Sequence, residues 1–177
     1  MNRYEQLALH ESFSAARFIP TEEIHFNSDF RRYCAENLCG QYGINYSCPP
    51  DCGTPQTMRE RALEYKNALV LQTKRDITDY TDTAAVKKAK KAHNEATMRL
   101  MERHFPDARM VGASCCSLCS PCVLPTGKPC VFPKKRFSCL SAYCIHAQKL
   151  AERCGMEYTC SDGQLALFSI ILTNEKN

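Results

Sequence analysis

The residues best suited to chemistry in this chain are cysteines: there are thirteen in 177 residues, most of them in two close-spaced runs. The more telling run reads Cys115-Cys-Ser-Leu-Cys119-Ser-Pro-Cys122 and continues to Cys130-Val-Phe-Pro133. Cys116, Cys119 and Cys122 are spaced C-x2-C-x2-C, a step at which a loop turns every third side chain inward. Three such thiolates wrap one corner of a cubane iron-sulfur cluster, and a more distant cysteine, here Cys130, reaches the fourth iron. Zinc is the alternative metal, although structural zinc sites more often divide their ligands into two separated C-x2-C pairs. Pro121, Pro125, Gly127 and Pro129 make the segment a loop rather than a packed apolar face, so small core thiols do not explain it.

The other run supplies Cys34, Cys39, Cys48 and Cys52 at C-x4-C-x8-C-x3-C, interleaved with Gly40, Gly43, Pro49, Pro50 and Gly53. Four thiolates from one glycine-rich loop can hold a second cluster, with backbone N-H groups free to turn toward sulfur and raise its reduction potential. A zinc site or unligated thiols remain alternatives for this less specific spacing.

These loops need a scaffold. Residues 2–17 have a loosely helical spacing, and 22–26 suggest a short strand. Residues 57–66 read as helix and 68–71 as a buried strand. A long helix capped by Asp82 or Thr83 runs to about Phe105, with Ala85, Ala89, Ala92, Ala96 and Leu100 as its apolar stripe. Residues 109–113 form a strand that delivers the chain into the second loop. A last helix carries Leu140, Cys144, Ala147, Leu150, Ala151 and Cys154 on one face and ends at Gly155, which places Cys144 and Cys154 as core thiols. Residues 156–159, a turn at Ser161-Asp162-Gly163 and an apolar run over 165–173 read as a hairpin whose second strand is buried on both faces. The sum is a single layered α/β or α+β domain over residues 1–177, with a mixed sheet of about five strands, flanking helices, and two cysteine-rich metal-binding loops at 31–55 and 114–139.

Composition narrows the partners. The longest apolar stretch is too short to span a bilayer, and the N-terminus lacks a signal core, so a cytoplasmic chain is expected, whose reducing surroundings speak against disulfides. A net charge of +4 without a long basic tract or interleaved aromatics argues only weakly for nucleic acid, and none is expected as a partner. No phosphate-binding glycine motif occurs, and His10, His25, His93, His104 and His146 are scattered.

Three landmarks make the chain resemble a prokaryotic family of cysteine-rich, predicted metal-binding proteins, a domain of unknown function. They are Cys39-Gly-Gln-Tyr-Gly43 leading to Cys48-Pro-Pro50, then the ferredoxin-like triple with Pro129-Cys130-Val-Phe-Pro133, and Ala142-Tyr143-Cys144-Ile145. The resemblance implies metal binding and names no reaction; its pattern has glycine where Cys144 stands.

The expectation is therefore an iron-sulfur protein with two [4Fe-4S] clusters that relays electrons. One cluster would sit on Cys34, Cys39, Cys48 and Cys52, the other on Cys116, Cys119, Cys122 and Cys130. If Cys52 is not a ligand, the first cluster keeps an open iron able to act as a Lewis acid; a structural zinc module is the third reading. Lys128, Lys134, Lys135 and Arg136 flank the second loop, where their charge serves either ordinary solubility or the steering of an acidic redox partner protein. Spacing assigns no role to Cys115, Cys139 or Cys160.

Overall fold

A computed structural model describes residues 1–77, 79–159 and 163–176. Among them, helix α1 is Arg3–His10, and Asn2 caps it through a reciprocal pair of hydrogen bonds with Glu5. The chain then forms β1 (Ala15–Pro20), a turn of 3-10 helix at Thr21–Glu23, and the short α2 (Arg31–Ala35). α3 (Pro55–Leu63) starts from a Thr54 cap with proline in its first turn, where no amide hydrogen is needed. It feeds β2 (Asn67–Asp76). Asp82 caps α4 (Thr83–His104), which precedes β3 (Arg109–Gly112). β4 (Ser138–Cys139), α5 (Ala147–Cys154) and β5 (Gln164–Thr173) complete the order.

The five strands make one mixed sheet in the order β1-β2-β5-β3-β4. All neighbours are antiparallel except β3 and β4, which run parallel. One face carries Ala68, Val70, Ile170 and Leu172 against Met58, Ala62, Leu150 and Ala151 of α3 and α5. The opposite face carries Leu69, Leu71 and Ile171 against Tyr4, Ala8, Ala96 and Leu100 of α1 and α4. Covered on both sides, β5 is buried from Leu167 to its end, as its near-continuous apolar run foretold. Among the described residues no helix is long and apolar enough to cross a membrane.

Four expectations are corrected. Helix does not extend to residue 17, because residues 15–20 pair with β2 residue for residue and this ladder overrides the helix propensity of Ala15 and Ala16. Residues 22–26 form no named strand; Phe26 makes a single bridge to Ile145. That bridge also delays the last helix: the Asn27 amide donates to the Cys144 carbonyl and Cys144 takes φ +56°, so Leu140 and Cys144 lie in a buried loop ahead of α5. Residues 156–159 are not a strand either, since β5 takes β2 and β3 as its partners; Ser161 and Asp162 of the expected turn, with Cys160, lie outside the described residues.

The stripe of α4 is also more polar than its alanines suggest. Ala92 is exposed while His93, Ala96, Thr97 and Leu100 are buried. Sheet hydroxyls make this possible: the His93 ring nitrogens bond Thr73 and Ser169, each at 2.8 Å, and Thr97 pairs with Ser169 at 2.7 Å.

Candidate metal centre

Both cysteine loops gather at the β3–β4 end of the sheet. β3 launches the second loop and β4 receives it, so residues 113–137 leave and return along two adjacent parallel strands. Asn94 of α4 fixes the launch: its Oδ1 accepts the Ala113 amide at 2.8 Å and its Nδ2 donates to Ser114 Oγ at 2.9 Å. Gly112 is required here, because a Cβ would come within 2.8 Å of the Phe137 ring and 2.9 Å of the Ser114 carbonyl.

Beyond this point Cys116, Cys119, Cys122 and Cys130 line one pocket with Asn45, Tyr46, Phe132 and Arg136. All four cysteines are half-buried. The pocket therefore unites the four thiols that spacing nominated. Burial pushes the Cys116 thiol up, while backbone N-H groups of Leu118 and Phe137 donate to its sulfur and favour the thiolate. Donors of this kind are what a bound cluster's sulfur ligands use.

The first loop closes over the second. Ser47 Oγ accepts the Cys116 amide at 2.9 Å and donates to Asn45 Oδ1 at the same distance; Asn45 Nδ2 donates to the Cys116 carbonyl at 3.1 Å. The Tyr46 hydroxyl reaches the Lys128 carbonyl at 2.9 Å, and Arg136 lies over the Tyr46 ring. Nothing in the cysteine spacing pointed to Asn45, Tyr46 or Ser47.

The four thiols of the first loop are arranged less simply. Cys52 and Cys48 are buried, Cys34 is half-exposed and Cys39 exposed. Burial pushes Cys34 up against the pull of Arg31, and its charge neighbours among the thiols are Cys144, Cys39 and Cys52. Cys52 is likewise raised by burial and opposed by Arg31 and Arg61. Cys48 faces elsewhere: its thiol bonds Cys115 and Ser47 and feels Cys139. The hydrogen bond between them pushes Cys48 up and draws Cys115 down to about 7.

Arg31 anchors this end. Its guanidinium donates to the Gly53 carbonyl at 2.8 Å and the Ala142 carbonyl at 2.9 Å, stitching α2 to the segment after Cys52 and to the loop before Cys144. Its Nε is buried without a partner. Arg61 of α3 donates to the Cys52 carbonyl at 3.0 Å.

Of the other cysteines, Cys154 is core as expected, raised to about 11 by burial beneath α5. Cys139, beside the seam between the loops, is raised to about 11, again by burial. Among the described residues, no three cysteine, histidine or carboxylate side chains meet closely enough to chelate a single ion.

The chain belongs to the family described as predicted metal-binding protein (DUF2284), whose model matches residues 17–173. No curated protein and no solved structure matches it.

Proposed function

From this membership we propose that the protein binds two [4Fe-4S] clusters, one at each cysteine loop, and serves in electron transfer. The observation that carries the reading is the shared pocket of Cys116, Cys119, Cys122 and Cys130. The C-x2-C-x2-C spacing of three of these thiols, with a more distant fourth, suits a four-iron cluster better than a zinc ion, whose structural sites more often divide their ligands into two separated C-x2-C pairs.

When bound, a cluster supplies a one-electron couple. The chain's own residues set its surroundings. Leu118 and Phe137 amides donate to Cys116 sulfur and stabilise added negative charge. Asn45 and Ser47 fix the Cys116 backbone, Phe132 and Tyr46 wall the pocket, and Arg136 adds positive charge at its rim.

The basic collar gives the second site an approach for an acidic carrier. Lys135 is engaged by Glu102 at 2.7 Å, which leaves Lys128, Lys134 and Arg136 as its working part. Val131 and Phe132 are exposed between these cations and would form the apolar centre of such a contact.

The test is anaerobic purification followed by iron and acid-labile sulfide analysis. The reading expects a brown protein with broad visible absorbance and a paramagnetic signal on reduction. A colourless anaerobic preparation with stoichiometric zinc would overturn it in favour of a structural zinc module.

A further inference from the structure

The geometry points to Cys144, and not Cys48, as the fourth thiol of the first site, alongside Cys34, Cys39 and Cys52. This rests on the reading that the first loop holds a cluster, and goes beyond it by replacing a ligand that sequence spacing nominated.

Arg31 holds the backbone around this site together. One guanidinium nitrogen binds the carbonyl of Gly53, the residue after Cys52; another binds Ala142, two residues before Cys144. Cys34 sits one turn further along the same helix as Arg31. A single side chain thus draws three separate backbone segments, each bearing a thiol, to one place. The bridge from Phe26 to Ile145 and the hydrogen bond from the Asn27 amide to the Cys144 carbonyl hold the fourth-ligand loop against the strand of chain that enters α2. Arg31 and the thiols of Cys144, Cys39 and Cys52 are accordingly charge neighbours of Cys34, and Cys139 feels Cys34 from β4.

Cys48 is held away from that group. Its thiol is 3.8 Å from Ser47 Oγ, whose oxygen is committed to the Cys116 amide, and it pairs with Cys115 of the other loop. Bringing Cys48 into the first site would break the seam that joins the loops. Arg31 and Arg61 stand beside the proposed thiol set, where two guanidinium charges offset a cluster's net negative charge.

The experiment compares Cys144→Gly and Cys48→Ala with the wild-type chain, all reconstituted anaerobically and assayed for iron, sulfide and thermal midpoint. Glycine is chosen because φ +56° at residue 144 suits it without strain, so the variant removes the thiol and keeps the backbone. Cys144→Gly is expected to lose half of the iron and sulfide with its thermal midpoint in the metal-free state unchanged, while Cys48→Ala retains all of it. Full iron in Cys144→Gly, or half-loss in a folded Cys48→Ala, would overturn the assignment. A wild-type chain that takes up no iron would instead remove the cluster reading beneath it. Should Cys144→Gly fail to fold, Cys144→Ser supplies the comparison: a retained but spectrally shifted cluster indicates ligation, and an unaltered spectrum refutes it.

Discussion

Ser47 accepts the backbone N-H of Cys116 at 2.9 Å, across 69 residues of chain, and so ties the first cysteine loop to the leading thiol of the second. A buried hydroxyl used this way is costly to lose, because the amide it satisfies is left without a partner. Ser47→Ala is expected to destabilise the fold by about 1–3 kcal/mol. Urea denaturation measures this; a change below about 0.5 kcal/mol would show that the seam carries little of the stability.

Gly112 offers a steric test of the same region. An added Cβ would press on the Phe137 ring at 2.8 Å and on the fixed Ser114 carbonyl at 2.9 Å. The ring can shift but the carbonyl is backbone, so Gly112→Ala should cost about 1–3 kcal/mol and disturb the wall of the second pocket. Reduced cluster content with a lowered thermal midpoint is the expected result, and an unchanged midpoint would contradict the close approach.

Acid should destabilise the protein through His93. Burial holds its pKa down to about 3, with Arg75 adding to the effect, against an ordinary 6.5. The unfolded imidazole gains a proton below about 6.5 while the folded one stays neutral. Stability is therefore complete above pH 6.5 and declines as pH falls toward 3, at up to about 1.4 kcal/mol per pH unit. Denaturation midpoints between pH 7 and 5 should fall in the wild type and stay flatter in His93→Gln; parallel profiles would assign the acid sensitivity to other groups.

The basic collar is tested by charge reversal. Lys134→Glu should slow reduction by an acidic electron carrier several-fold at low salt, with the difference fading as salt is raised. Lys135→Glu should matter less, because Glu102 already occupies its charge. A salt-independent effect, or none, would place docking elsewhere.

Much of this molecule can be read from local pattern. The Asp82 cap and the 22-residue α4, the buried β5 and the gathering of Cys116, Cys119, Cys122 and Cys130 all follow from residues near one another in the chain. Where local pattern misled, a distant partner was the reason. Ala15 and Ala16 became strand because β2 lay alongside, and His93 entered the core because Thr73 and Ser169 could bond both ring nitrogens.

The same division separates the two candidate sites. Close cysteine spacing is a constraint within a single loop, so the sequence by itself determined the second thiol group and the metal-binding character of the chain. Which thiols approach Cys34 depends on how Arg31 binds Gly53 and Ala142, which lie 22 and 111 residues away. Contacts across such separations are set by packing and hydrogen bonding of whole elements, and only the tertiary structure decided that Cys144 stands near Cys34 while Cys48 turns toward Cys115.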